Sequence, residues 1–197
     1  VVAPDGMVFA SSGRVRTFTS EGEKRWTIEN STPTPPVVVN EDGSIYFCAV
    51  QSSLRTLVRR FDTNGVETWR SPMIAAAVVA PPVIGPDQTV YVPTIPLGLP
   101  NELGLIAFSG SGERLWEFKE FPIPVSPAVA ADGSIYVASD NGVVVALSSN
   151  GARIWGYTNG VPIVRGIGIG IDGCVLLAQT NGTLVALTGR SPVADGV

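Results

Sequence analysis

The chain has 197 residues, of which 45% are hydrophobic and 15% are charged, and this composition is typical of a globular protein rather than a disordered one. Its formal net charge of −4 and its lack of a Lys/Arg-rich run argue against a nucleic-acid partner, because neutralising phosphates requires clustered cations. The longest apolar run, Met73 to Ala80, is far shorter than the roughly 20 residues that cross a bilayer, so we expect no membrane insertion by this segment.

Five short turns recur along the chain about 40 residues apart, and each is followed by an apolar stretch. They are Asp5-Gly6, Asp42-Gly43, Asp87-Gln88, Asp132-Gly133 and Asp172-Gly173. A period of this size indicates a solenoid or a propeller, in which one unit cannot bury its apolar face without a neighbour. The sequence therefore predicts a repeat protein.

A second signal, Gly-x-x-x-Trp, follows four of the five turns and accounts for every tryptophan in the chain. The pairs are Gly22 with Trp26, Gly65 with Trp69, Gly112 with Trp116 and Gly151 with Trp155. We expect each glycine to adopt a positive φ in a tight turn and each tryptophan to dock on the next repeat. These four tryptophans are therefore interpreted as structural.

The fourth repeat has four strand-like segments in succession, which we call A to D. They are residues 126–130, 134–138, 143–147 and 152–157, separated by Asp-Gly and Asn-Gly turns. Four antiparallel strands per repeat of about 40 residues are the blade of a β-propeller. We predict an all-β protein forming one propeller domain over residues 1–197, with about five blades. The repeats are approximately 1–30, 31–75, 76–121, 122–160 and 161–197.

The turns and strands of the fourth repeat resemble the repeat of quinoprotein-like (PQQ-like) propellers. The resemblance is carried by the string from Asp132 to Gly142, by Ala146 to Gly151, and by Trp155. It implies the propeller fold and a periplasmic, cell-surface or secreted location. Because this repeat is shared by quinone-dependent dehydrogenases, assembly lipoproteins and sensor ectodomains, the resemblance does not assign an activity.

The last repeat is predicted to be incomplete, because it lacks both the glycine and the tryptophan of the second signal. Two arrangements remain open: a five-blade ring with an irregular last strand, or an arc cut from a larger propeller. We favour the closed ring, because an arc would leave apolar blade faces uncovered.

Several kinds of chemistry are disfavoured by the residues themselves. The chain has no histidine, so histidine-based triads and metal sites are absent. The predicted inner strands, residues 35–39, 82–86, 126–130 and 165–171, contain no Asp or Glu that could serve a glycosidase or a quinone dehydrogenase. We therefore expect no catalytic residue, no cofactor and no metal. Cys48 and Cys174 are predicted to be free thiols in strands.

A candidate binding surface is predicted where the B–C and D–A connections share one face of the propeller, because loops on a rigid scaffold carry recognition. Two B–C connections, in the second and third repeats, are enlarged. The candidate partner-binding residues are Arg55, Arg70, Ile95, Leu97, Leu99, Lys119, Tyr157 and Arg165.

We conclude from the sequence that the chain is a non-catalytic scaffold for protein interaction or ligand sensing, and that its partner is another protein. A small ligand at the mouth of the central channel is also considered. The alternatives are a propeller that binds carbohydrate or another small molecule, and a non-functional fragment of a quinone-dependent dehydrogenase.

Overall fold

A computed structural model of the chain describes residues 1–11, 13–29, 37–52, 55–96 and 104–188. The described residues form β-strands and no α-helix, so the all-β prediction is confirmed. None of them belongs to a helix that could cross a membrane.

The strands form five antiparallel sheets that follow chain order, which we call blades 1 to 5. Blade 1 contains β1 (Val8–Ser11), β2 (Val15–Phe18) and β3 (Lys24–Ile28). Blade 2 contains β4 (Val38–Val39), β5 (Ile45–Ser52), β6 (Arg55–Phe61) and β7 (Glu67–Arg70). Blade 3 contains β8 (Val83–Ile84), β9 (Val90–Thr94), β10 (Gly104–Phe108) and β11 (Arg114–Phe118). Blade 4 contains β12 (Ala128–Val129), β13 (Ile135–Ala138), β14 (Val143–Leu147) and β15 (Arg153–Thr158). Blade 5 contains β16 (Ile163–Ile169), β17 (Val175–Gln179) and β18 (Leu184–Leu187).

The five Asp turns join strands A and B, and in each the Asp carboxylate accepts a hydrogen bond from the backbone N–H two residues later. The N···O distance is 2.9 Å at Ser44 and Ser134, 3.0 Å at Met7 and 3.1 Å at Thr89 and Cys174. Asp is favoured in such turns because its short side chain can reach the backbone in this way. These carboxylates therefore hold turns together.

The core consists of apolar clusters between neighbouring blades, because side chains on the central strands alternate between two buried faces. In β5, Ile45 and Phe47 point towards blade 1, whereas Tyr46 and Cys48 point towards blade 3. Equivalent clusters join blade 3 to blade 4 and blade 4 to blade 5. Each blade thus needs its neighbour to bury one face, as the propeller prediction requires.

The tryptophans of β3, β7 and β11 pack against the C–D glycine of the following blade. A Cβ built on Gly65 would lie 2.7 Å from Trp26, one on Gly112 would lie 2.8 Å from Trp69, and one on Gly151 would lie 2.6 Å from Trp116. The three glycines have φ between +80° and +89°, which is the positive φ expected from the sequence. Close approach of the indole therefore requires glycine at these positions.

The closed ring that the sequence favoured is not observed among the described residues. Core clusters join blades 1 to 2, 2 to 3, 3 to 4 and 4 to 5, but none joins blade 5 to blade 1. The outer faces of the row are open: Leu184 of blade 5 is 66% exposed, and Gly22 of blade 1 has nothing within 4 Å of a built Cβ. The prediction of closure was wrong because the number of blades and strands does not determine the angle between neighbouring sheets, and that angle decides whether five blades complete a ring.

The two cysteines differ in accessibility and should differ in reactivity. Cys48 is fully buried in β5, and burial raises the pKa of its thiol to about 12. Cys174 is half-buried in the fifth A–B turn, where its hydrogen bond with Asp172 raises the pKa of the thiol. We expect a thiol reagent at mildly alkaline pH to label one cysteine in the native chain and both in denaturant, because only an accessible thiolate reacts. Labelling of Cys48 without denaturant would contradict this.

Candidate functional site

The B–C and D–A connections lie on one face of the blades, which we call the loop face, and the A–B and C–D turns lie on the opposite face, the turn face. This follows from the up-and-down order of the strands in each blade. On the loop face, residues 72–80 connect blade 2 to blade 3 and form the described D–A connection with the most backbone pairing to its neighbours.

This connection is fixed at both ends by backbone hydrogen bonds. Ile74 and Thr56 exchange two bonds of 2.7 and 2.9 Å, and Ala77 and Ile95 exchange two bonds of 2.9 and 3.1 Å. The Thr56 hydroxyl also donates to the carbonyl of Ala76 at 3.2 Å. The enlarged B–C hairpins of blades 2 and 3 therefore hold the connection as an ordered strand-like segment.

Side chains along the connection alternate between the protein interior and solvent. Ile74, Ala76 and Val78 are buried in the cluster between blades 2 and 3. Met73 and Val79 are each 49% exposed, and the two alanines between them are half-buried. We call the outward residues Met73, Ala75, Ala77 and Val79 the apolar ridge. Its outward face carries no charge, which is the composition of the centre of a protein interface rather than of its rim.

The sequence-predicted residues fall in different places. Arg55 is exposed at the start of β6, and Ile95 is half-buried and bonded to the connection through its backbone. Arg70 is exposed and forms an ion pair of 3.0 Å with Glu67. Leu97 and Leu99 lie outside the described residues. The structure thus brings Arg55, Arg70 and Ile95 to the two ends of the apolar ridge.

Three further candidates lie away from the ridge. Lys119 is exposed on the next D–A connection and pairs with Glu117. Tyr157 is half-buried on β15 and packs into the cluster between blades 4 and 5, at a cavity of about 730 Å³. Arg165 lies in β16, where the structure describes the backbone and not the side chain. Lys119, Tyr157 and Arg165 thus belong to blades 3, 4 and 5 or their connections, whereas the ridge connects blades 2 and 3.

The sequence interpretation missed Met73 and Val79. No local pattern predicted their exposure, because the run Met73 to Ala80 is apolar throughout and its larger and smaller side chains do not alternate with the period of two that marks a strand with two different faces. The alternation becomes visible only in the structure, where the backbone pairing of Ile74 and Ala77 determines which side chains point inwards.

Aromatic pairs inside the blades account for the tyrosines that the sequence did not explain. Tyr46, Tyr91 and Tyr136 lie 5.8 Å from Trp69, Trp116 and Trp155 of the same blade, measured between ring centroids. Burial raises the pKa of all three phenols, so they are uncharged at neutral pH. Their role in this geometry is to support the indoles that dock on the next blade.

Two cavities lie on the turn face where blades 2, 3 and 4 meet. One, of about 490 Å³, is walled by inner-strand residues such as Val39, Ile84 and Val129. The other, of about 420 Å³, lies between blades 2 and 3 and is lined mostly by residues with polar side chains. Within the described part of the chain, no group of three or more Cys, Asp or Glu side chains is arranged to hold a metal ion.

Part of the chain matches a known protein family. Residues 101–191 match the PQQ-like repeat family described as "Outer membrane protein assembly factor BamB". The match covers slightly less than half of the chain and confirms the resemblance to PQQ-like repeats. No curated protein sequence matches the chain.

Several solved structures share the fold. The computationally designed Ika8 protein has a TM-score of 0.72 at 11% identity, over 93% of this chain and 55% of its own. A gluconolactonase from Xanthomonas campestris has a TM-score of 0.58 at 15% identity, over 95% of this chain and 70% of its own. A protein of unknown function from Bacteroides caccae has a TM-score of 0.57 at 17% identity, over 94% of this chain and 69% of its own. At these identities the likeness concerns the fold alone.

Proposed function

We propose that this propeller of PQQ-like repeats is a non-catalytic scaffold that binds another protein through its loop face, with the apolar ridge as the centre of the contact. The observation that carries the proposal is the ridge itself, an ordered segment whose outward positions are all apolar. Apolar side chains held on a rigid backbone lose little conformational entropy on binding, so they contribute more to affinity than equivalent side chains on a mobile loop.

Charged residues at the edge of the ridge fit the same role. Arg55 and Arg70 lie at its blade 2 end, and Arg is enriched in protein interfaces. We expect a partner surface with apolar side chains opposite Met73 and Val79 and a carboxylate near Arg55. Leu97 and Leu99 belong to the same B–C connection as Ile95 and are proposed to extend this surface.

We propose that the chain acts outside the cytoplasm. What supports this location is the description of the matched family, whose name refers to outer membrane protein assembly.

The proposal is tested by replacing Met73 or Val79 with a photo-crosslinking amino acid and irradiating cells of the organism that naturally makes the protein. We expect a discrete crosslinked protein from both positions, because both side chains point out of the loop face. Val66, which is 59% exposed in a C–D turn, is the matched control on the turn face and should give none. The proposal fails if neither ridge position crosslinks, or if Val66 captures the same protein.

The affinity of the identified partner then gives a second measurement. We expect Met73→Glu to weaken binding of the purified partner by at least about tenfold, since a central apolar residue of an interface contributes about 1–2 kcal/mol or more. Val66→Glu adds the same charge on the turn face and should leave the affinity unchanged. Equal effects of the two variants would contradict the placement of the contact.

A further inference from the structure

The four described junctions between blades provide an internal comparison, because each is built from the same repeat positions. Two of these positions lie in the A–B turn of the first blade, one lies in its strand C, and one lies in the A–B turn of the next blade. At the junction of blades 1 and 2 they are Ala3, Pro4, Thr17 and Gly43. At the junction of blades 3 and 4 they are Gly85, Pro86, Ala107 and Gly133. At the junction of blades 4 and 5 they are Ala130, Ala131, Ala146 and Gly173.

The junction of blades 2 and 3 differs at all four positions, which are Asn40, Glu41, Arg60 and Gln88. Three of the junctions therefore use small or apolar residues almost throughout, whereas this one brings together four polar side chains. The fold does not need them, because the other junctions pack without them. In natural proteins, departures from the local pattern are expected mainly at functional or strained sites.

The four side chains line one cavity of about 420 Å³, together with Asp42, Tyr46 and Gly110. Arg60 Nη2 lies 2.9 Å from Asp42 Oδ2, and its guanidinium carbon lies 5.7 Å from the centre of the Tyr46 ring. Asn40 Nδ2 donates to Gln88 Oε1 at 2.7 Å across the junction. Arg60 Nε is enclosed and has no hydrogen-bond partner among the described residues.

Gln88 has an unfavourable backbone conformation for its residue type. Its φ is +67°, and it is the one non-glycine residue in the described ranges with a positive φ. The other four A–B turns have glycine here, with φ between +78° and +86°. Residues with a side chain rarely adopt this conformation, and such strain clusters at ligand sites. The side chain of Gln88, which the glycines of the other turns lack, lines the cavity across the junction from Asn40.

The chemistry of the lining favours a neutral ligand with many hydroxyl groups. Arg60 is paired with Asp42, and the Glu41 carboxylate leaves the cavity with a net negative charge, which disfavours anions. The amides, the carboxylate and the guanidinium together offer hydrogen-bond donors and acceptors. A ligand hydroxyl group can both donate and accept a hydrogen bond, so it matches this lining. The cavity shares Asn40, Glu41 and Gln88 with the neighbouring cavity of about 490 Å³, where the C–H face of a sugar ring would pack on Val39 and Ile84. Its volume is within the range of small-molecule sites.

We propose that the turn-face cavity between blades 2 and 3 binds a neutral sugar of one or two rings, with Arg60, Asn40, Gln88 and Glu41 as its hydrogen-bonding residues. This site lies on the opposite face from the apolar ridge and does not depend on it. The internal repeats also supply the variants that test it. Arg60→Ala and Gln88→Gly introduce the residues that neighbouring blades already use, so both variants are expected to fold.

The experiment measures binding of glucose, galactose, N-acetylglucosamine, maltose and cellobiose to the purified chain by saturation-transfer NMR and calorimetry. We expect at least one of these sugars to bind with a millimolar or better Kd, and both variants to weaken binding at least about tenfold. Gln88→Gly should also raise the melting temperature, because it removes a strained residue. Arg153→Ala, which removes an ion-paired arginine from blade 4, is the matched control and should bind like the unmodified chain.

Two results would overturn the proposal. The first is the absence of millimolar binding by every sugar in the panel. The second is equal binding by the unmodified chain, Arg60→Ala and Gln88→Gly, which would place any sugar elsewhere. Inorganic phosphate serves as the anionic probe: binding of phosphate that Arg60→Ala abolishes, without sugar binding, would assign the cavity to a different class of ligand.

Discussion

Gly151→Ala is expected to lower the free energy of unfolding by about 3 kcal/mol, because the added methyl group meets two separate penalties. Gly151 has φ of +83°, a conformation in which a residue with a Cβ is strained. The new Cβ would also lie 2.6 Å from Cδ2 and 2.7 Å from Cε3 of Trp116, so the indole and blade 3 would have to shift. Denaturant unfolding followed by circular dichroism measures the loss.

Gly22→Ala separates the two penalties. Gly22 occupies the same repeat position with φ of +87°, but a Cβ built there has nothing within 4 Å. We expect a loss of about 1 kcal/mol, which is the backbone penalty alone. The difference between the variants, about 2 kcal/mol, measures the contact with the docked tryptophan. Equal losses would mean that the tryptophan does not constrain these glycines.

The docking of each tryptophan on the next blade and the positive φ of the glycines could be predicted, because both residues recur at a constant spacing and each has a distinct physical requirement. Trp26, Trp69 and Trp116 all lie against the glycine of the next blade. The A–B turns could be predicted for the same reason, since Asp42 and Asp132 bond to the backbone as Asp does in short turns. Because the same turn and docking residues recur in several repeats, the sequence predicts the same backbone conformation in each of them.

Both candidate sites depend on relations that no local pattern contains. The apolar ridge is recognisable only once Ile74 is seen bonded to Thr56 and Ala77 to Ile95, because those bonds determine which side chains point outwards. The polar cavity combines residues from two repeats, and Asn40 and Gln88 meet only when blades 2 and 3 stack. Its signal in the sequence was the loss of glycine at the third Asp turn, where Gln88 follows Asp87.

The two sites also differ in what a substitution would disturb. Met73 and Val79 are about half exposed, so their replacement by polar residues leaves the core between blades 2 and 3 intact. Arg60 and Gln88 replace smaller residues of the repeat, so their removal restores the pattern of the neighbouring blades. Loss of function at either site can therefore be measured separately from loss of folding.

Glu67→Gln is expected to lower the free energy of unfolding by about 1.5 kcal/mol at neutral pH, a value between those of exposed and fully buried ion pairs. Glu67 accepts two hydrogen bonds from Arg59, of 2.7 and 3.2 Å, and the two side chains are 18% and 16% exposed. Arg59 in turn stacks on Phe61, with its guanidinium carbon 4.7 Å from the ring centre. Glutamine keeps the shape but leaves the guanidinium without its counter-charge.

The effect of Glu67→Gln should depend on pH in a defined direction. Hydrogen bonds from Arg59 hold the pKa of Glu67 below its ordinary value, against a smaller opposing effect of burial. A carboxyl group whose pKa is lowered by folding contributes stability that is complete above its unfolded pKa and is lost as the pH falls through the folded pKa. We therefore expect the difference between the unmodified chain and Glu67→Gln to be present at neutral pH and to disappear in acid, where Glu67 is protonated in both states.

Glu29→Gln is the matched control, since Glu29 pairs with Arg14 on the surface at 2.9 Å and both side chains are about half exposed. Such pairs contribute at most about 1 kcal/mol and often nothing measurable, so we expect little difference from the unmodified chain at either pH. Unfolding curves of the three proteins across the acidic range measure both effects. A deficit of Glu67→Gln that persisted unchanged in acid would mean that the loss of stability does not come from the negative charge beside Arg59.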